Sequence, residues 1–180
     1  MSIDLARALP YFSPAHSADV TAPFRPFGSI DAPVARPFSA TLVITYMIDE
    51  PGALLIVRQR DMERSQHGEL HERAIRNLRN HATQRRVRAE RSGATWSIRL
   101  DGQHDASLLL LDELWDPPTR IVDSEGEVVV AVSSRATVLA TGTATRGGIT
   151  ALQAAVSVRE RPMSSELFVR RAGAWKPYAG

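Results

Sequence analysis

Residues 127–142, EVVVAVSSRATVLATG, decide what kind of fold this chain can make. The first six, EVVVAV, place four valines in a short unbroken apolar run. Bounded by SEG before it and Ser133-Ser134 after it, such a β-branched run reads as a strand buried on both faces. The second half, ATVLATG (136–142), reads either as another strand or as one helical turn. Around this centre the remaining strands come in pairs. SATLVITYMID (39–49) is β-branched and aromatic, EPG (50–52) turns the chain, and ALLIVRQR (53–60) returns as the partner. RRVRAERS (85–92) and ATWSIRL (94–100) alternate well enough for a second hairpin across Ser92-Gly93. SELFVRRAGAWKPY (165–178) closes the chain as a third, around Ala172-Gly173.

Helical periodicity is clearest in HGELHERAIRNLRNHA, residues 67–82. At about 100° per residue, Leu70, Ala74, Ile75, Leu78 and Ala82 fall on one arc. Glu69, Glu72, Arg73, Arg76, Arg79 and Asn80 fill the opposite side, with Glu69–Arg73 and Glu72–Arg76 in the favourable acid-first order. Asn77 lies on the border of the two faces. ASLLLLDELW (106–115), capped by Asp105 and stopped before Pro117-Pro118, predicts a central buried helix. GGITALQAAVSVRER (147–161) repeats Ile149, Leu152, Ala155 and Val156 at helical spacing. A chain with this order of elements is expected to be α+β, a mostly antiparallel sheet covered on one face by two or three helices.

The N-terminal part differs. Residues 1–38 hold six of the eleven prolines, a density that fixes φ repeatedly and removes backbone donors. The expectation there is a short helical start and then a largely irregular arm, draped over the domain by Phe12, Phe24, Phe27 and Phe38 or free to bind a partner, followed by a single α+β domain over 39–180. A segment around 61–66 reads as a short helical turn.

Composition narrows the function classes. The 43% hydrophobic and 23% charged residues are ordinary for a globular domain. With no cysteine, disulfides, thiolate zinc sites and cysteine nucleophiles are excluded. MSIDLARALPYF lacks the basic and apolar regions of a signal peptide, and no apolar run is long enough to span a bilayer, so a cytoplasmic protein without membrane contact is expected. The net charge of +2 is unevenly spread, with ten Arg against five acids in 58–91 and eight acids against two Arg in 92–127. Only Lys176 breaks the use of arginine as the basic residue. The two blocks could neutralise each other in the fold. Alternatively Arg85, Arg86, Arg88 and Arg91 form a surface for a polyanion such as nucleic acid.

Several constellations invite chemistry. His67 and His71 share the apolar arc with His81, and two imidazoles one turn apart can hold zinc, with His104 or Asp105 as a further ligand. The H-E-x-x-H order of zinc hydrolases is absent, and a packed histidine explains the same placement. DGQHDAS (101–107) clusters Asp101, His104 and Asp105, which suits acid–base work or simply a turn and a cap. Ser133 and Ser134 follow a buried strand but lack the G-x-S-x-G elbow. TRGGIT (145–150) sets Gly-Gly at a helix start without the rest of a phosphate loop.

Four segments together resemble the YtpQ-like family of bacterial proteins, whose function is not established. They are LHERAIRNLRNH (70–81) with its A-x-x-N-L core at Ala74, Asn77 and Leu78, DGQHDASLLLLDELW (101–115), GEVVVAVSSRATVL (126–139) and PMSSELFVRRAGAW (162–175). The resemblance covers residues 42–177 and implies the α+β fold, with no agreed activity, catalytic residue or cofactor. Where the family tends to carry Pro-x-x-Asp after the buried strand, this chain has Ser133 and Ala136. Each polar constellation also has a structural explanation, so the leading expectation is a non-enzymatic module for a protein partner or for self-association. A metal-assisted hydrolase using the helix histidines and a nucleic-acid binder using 85–91 are the alternatives.

Overall fold

A computed structural model describes residues 4–15, 30–62, 67–158 and 162–179. The chain divides into two compact units, residues 1–81 and 82–180. No helix of the described residues is long and apolar enough to cross a membrane.

In the first unit the strand predicted at 39–49 is β3, Leu42–Glu50, the middle of a four-stranded antiparallel sheet among the described residues. Its buried run of β-branched and aromatic residues needs a neighbour on each side, and it finds three. β1 (Leu9–Pro14) lies along one side; β2 (Ala35–Pro37) and β4 (Ala53–Ile56) share the other, since Met47 pairs with both Leu9 and Ile56. β1 corrects the expectation of an irregular arm. Pro10 and Pro14 are tolerated because β1 is an edge strand and the two prolines are four residues apart. Both missing N–H positions can therefore face away from β3. Phe12, expected to drape over the domain, is buried and meets Phe38 edge to face at 4.7 Å. Phe24, Phe27 and the prolines at 23 and 26 lie outside the described residues, as does most of the turn predicted at 61–66.

Helix α1 spans His67–Arg85, so its last turn falls in the second unit. The arc read from periodicity is the buried one, with Leu70, Ala74 and Leu78 at 2% exposure or less. Asn77, on the border, donates from Nδ2 to the carbonyls of Ala6 and Ala8 at 2.8 and 2.9 Å. It thereby satisfies a short 3-10 segment (Leu5–Arg7) that would otherwise leave those acceptors open.

The second unit is built on the 127–142 stretch, which forms β7 (Val128–Ser134) and β8 (Thr137–Gly142), resolving 136–142 as a strand. With β5 (Arg88–Ser92), β6 (Thr95–Arg99), β9 (Leu167–Arg171) and β10 (Ala174–Pro177) they make a six-stranded antiparallel sheet in the order β10-β9-β7-β8-β6-β5. Alternation along β7 sends Val129 and Ala131 to one face, where Leu152 and Val156 of helix α2 (Gly148–Ser157) pack with Leu167 and Val169. Gly148 permits that approach, because a Cβ there would collide with Thr141 Oγ1.

The predicted helix at 106–115 is not one helix. Ala106–Leu110 and Asp112–Leu114 are two 3-10 segments separated at Leu111, whose φ of −100° and ψ of 89° leave the helical region. The indole of Trp115 donates to the Leu108 carbonyl at 2.8 Å, and that of Trp175 to Leu109 at 2.8 Å. Those carbonyls are thus satisfied from the side, and leucines on several sides signalled burial without requiring an α-helix.

Candidate functional sites

In the first unit β3 carries Tyr46 and α1 carries His71, with the phenol oxygen 3.0 Å from His71 Nδ1. Burial pushes the Tyr46 hydroxyl up to about 12, with the Arg36 guanidinium pulling it partly back. Burial, followed by Arg36, also lowers the His71 imidazole, against a smaller opposing effect of Glu72. Both groups are therefore neutral near pH 7, and one hydrogen bond joins the phenol oxygen to Nδ1, its direction set by the imidazole tautomer. With Nδ1 engaged by Tyr46, Nε2 is the one ring nitrogen left for a further partner. His67 opens the helix, but its side chain lies outside the described residues. Glu69 and Glu72 are exposed, and among the described residues no group of three ligands includes His71. The arrangement is that of a core hydrogen bond.

His104 belongs to the second unit, in the turn after β6. Asp101 accepts the Gln103 and His104 backbone N–H groups on Oδ1, both at 2.8 Å, and sets Oδ2 2.9 Å from His104 Nδ1. Asp105 reaches backwards: its Oδ1 accepts from the N–H groups of Leu100, Asp101 and Gly102, each at 2.9 Å. It makes no side-chain cap to the segment that follows, contrary to the capping expectation. The backward turn wins because three donors converge on one oxygen, whereas a 3-10 start offers fewer free N–H groups. Asp105 is fully buried and the His104 side chain is 5% exposed. An aspartate that orients an imidazole is a catalytic element when substrate can reach the ring. Here one oxygen of each carboxylate folds five backbone donors into a turn, and Asp101 Oδ2 is given to a His104 ring that is itself buried.

The basic residues are arranged differently. The sequence offers the eight acids of 92–127 as partners for the arginines of 85–91, and three of them pair with arginines of β9 instead. Asp112 and Asp116 bind Arg170 at 2.8 and 2.6 Å, and Glu127 binds Arg171 at 2.8 Å. Arg85, Arg86, Arg88, Arg91 and Arg99 are exposed and make no ion pair among the described residues. The β5–β6 register brings Arg88 directly opposite Arg99, and like charges so placed repel. Arg91 rests its guanidinium 5.8 Å from the Trp96 ring centroid, on the other face of the hairpin. Arg86 stands just beyond the end of α1 at φ 60°, a left-handed position that glycine fills without strain. Arg99 and Trp96 join the sequence candidates only through strand register. Pairing residues outward from the two-residue turn Gly93-Ala94 is the signal that finds them.

No family model, curated protein or solved structure matches the chain.

Proposed function

We propose that this chain is a non-enzymatic interaction module that takes an anionic partner on the β5–β6 hairpin. The supporting observation is the direct opposition of Arg88 and Arg99 within a group of five exposed arginines that make no ion pair among the described residues. A cross-strand arginine pair costs a few tenths of a kcal/mol, and a left-handed Arg86 about 1 kcal/mol. The repulsion is relieved when an anion arrives, since each guanidinium presents five donors in a planar fork suited to carboxylate or phosphate.

The hydrolase alternative has less support because, among the described residues, no group of three possible ligands includes His71. The test is a titration of the full chain with heparin as a generic polyanion at several salt concentrations. The expected result is an affinity that falls steeply as salt rises, and that drops at least tenfold in the Arg88→Glu, Arg99→Glu double variant. An affinity independent of salt, or equal in the two proteins, rejects the reading.

A further inference from the structure

β5 ends the six-stranded sheet, hydrogen-bonded to β6 and to no strand beyond it among the described residues. Its five residues pair with β6 without a bulge, so the edge is straight and continuous. The sheet's opposite edge, β10, is blunted by Pro177, whose ring removes a donor. β5 contains no proline. The two-residue turn makes Ser92 and Thr95 the closing hydrogen-bonded pair, and the alternation then gives Glu90 and Arg88 to β6 as well. Ala89 and Arg91 consequently direct their N–H and C=O groups outward.

Resting on the hairpin reading above, we infer that the anionic partner is an extended acidic peptide segment that adds to β5 as a further strand. Its backbone pairs with Ala89 and Arg91, and its side chains meet a defined pattern. Residues opposite one another on adjacent strands have Cβ atoms about 5 Å apart, within reach of an arginine. A carboxylate therefore suits the positions facing Arg88 and Arg91. Glu90, between them on the edge, rejects a carboxylate and favours a hydroxyl or a lysine. Ala89 is half-buried beside the buried Ile98 across the hairpin, and calls for an apolar residue. Running antiparallel to β5, the segment reads acid, hydroxyl or lysine, apolar, acid, for example Glu-Ser-Val-Glu. Glu90 is also what argues against a nucleic acid here. A phosphate backbone carries charge at every step and has no use for a strand edge, whereas a peptide can alternate its charges to fit.

The experiment uses the full chain and three probes: a peptide centred on Glu-Ser-Val-Glu, the same peptide N-methylated on alternate backbone nitrogens, and a single-stranded oligonucleotide. Affinity is read by fluorescence anisotropy and amide exchange by NMR. The expected result is binding of the plain peptide at least tenfold tighter than of the methylated one. The Ala89 and Arg91 amides should then exchange at least tenfold more slowly. Equal binding of the two peptides, or tighter binding of the oligonucleotide with no change in those amides, overturns strand addition and leaves the anion-binding hairpin standing. Failure of all three probes to bind rejects the hairpin reading itself.

Discussion

Two groups of arginine in the same sheet meet opposite fates. Arg170, on β9, has a side chain only 5% exposed, bound to Asp112 and Asp116 and stacked 5.4 Å from the Trp175 ring centroid. Trp175 meets Trp115 edge to face at 5.2 Å, so one guanidinium links β9, β10 and the 3-10 segments into one arrangement. At the far end of the sheet Arg88 and Arg99 are exposed opposite each other and make no ion pair among the described residues. A charge that holds the fold is enclosed, paired and indispensable to its neighbours. Under the proposed reading, one available to a partner is exposed, makes no ion pair among the described residues and is locally unfavourable. The two kinds should respond oppositely to substitution.

The largest effect is expected at the enclosed arginine. Arg170→Ala removes three hydrogen bonds to carboxylates and the packing against Trp175. Since Asp112 and Asp116 remain partly exposed and can rehydrate, the cost should be about 2–3 kcal/mol, below that of breaking a fully buried pair. Urea unfolding measures it, and polyanion affinity should stay unchanged. A loss below 0.5 kcal/mol would place Arg170 with the solvated pairs and dissolve the contrast.

Tyr46 is an enclosed polar group of the first unit, and Tyr46→Phe leaves His71 Nδ1 without its hydrogen-bond partner, at about 1 kcal/mol. Its pH signature is more specific. The His71 pKa is lowered in the fold, so the unfolded chain binds the proton more readily; stability is complete above the unfolded value of 6.5 and declines as pH falls from there towards the folded pKa. The Tyr46 pKa is raised, so stability is complete below 10 and is lost as pH rises from 10 to about 12. The alkaline loss should vanish in Tyr46→Phe while the acid loss near neutrality persists through His71. An unchanged alkaline limb would show that Tyr46 is not held neutral by burial.

Much of this architecture could be read from residue order alone, because strands and amphipathic helices leave periodic traces. The β7 valines, the Leu70–Leu78 arc and all three hairpins are of that kind. What escaped has a common physical cause, namely that the deciding partner is remote in sequence. The 106–115 leucines spoke of burial, but indoles at 115 and 175 claimed the carbonyls that an α-helix would have used. Pro10 argued against a strand until an edge position was available beside β3. The adjacent charge blocks suggested mutual neutralisation, yet Arg170 reaches Asp116 from 54 residues away. With three of the eight acids so assigned, no carboxylate among the described residues pairs with the arginines of 85–99.

Substitutions among the unpaired arginines should invert the usual bargain between stability and contacts. Arg86→Gly relieves the left-handed strain and is expected to stabilise the chain by about 1 kcal/mol, while weakening polyanion binding about threefold through the loss of one exposed charge.

Arg99→Glu is the smallest change in stability and the most informative. It converts a repulsive cross-strand pair into an attractive one, for a gain of about 0.5 kcal/mol. The new carboxylate then competes for Arg88 with any incoming anion, so binding should fall more than the loss of one positive charge explains. Arg99→Gln removes the repulsion without supplying a competitor, and should lie between wild type and Arg99→Glu in both measurements. A ranking in which affinity falls together with stability would mean that the hairpin arginines hold the fold, as Arg170 does. The distinction between held and available charge would then fail where it is most sharply drawn.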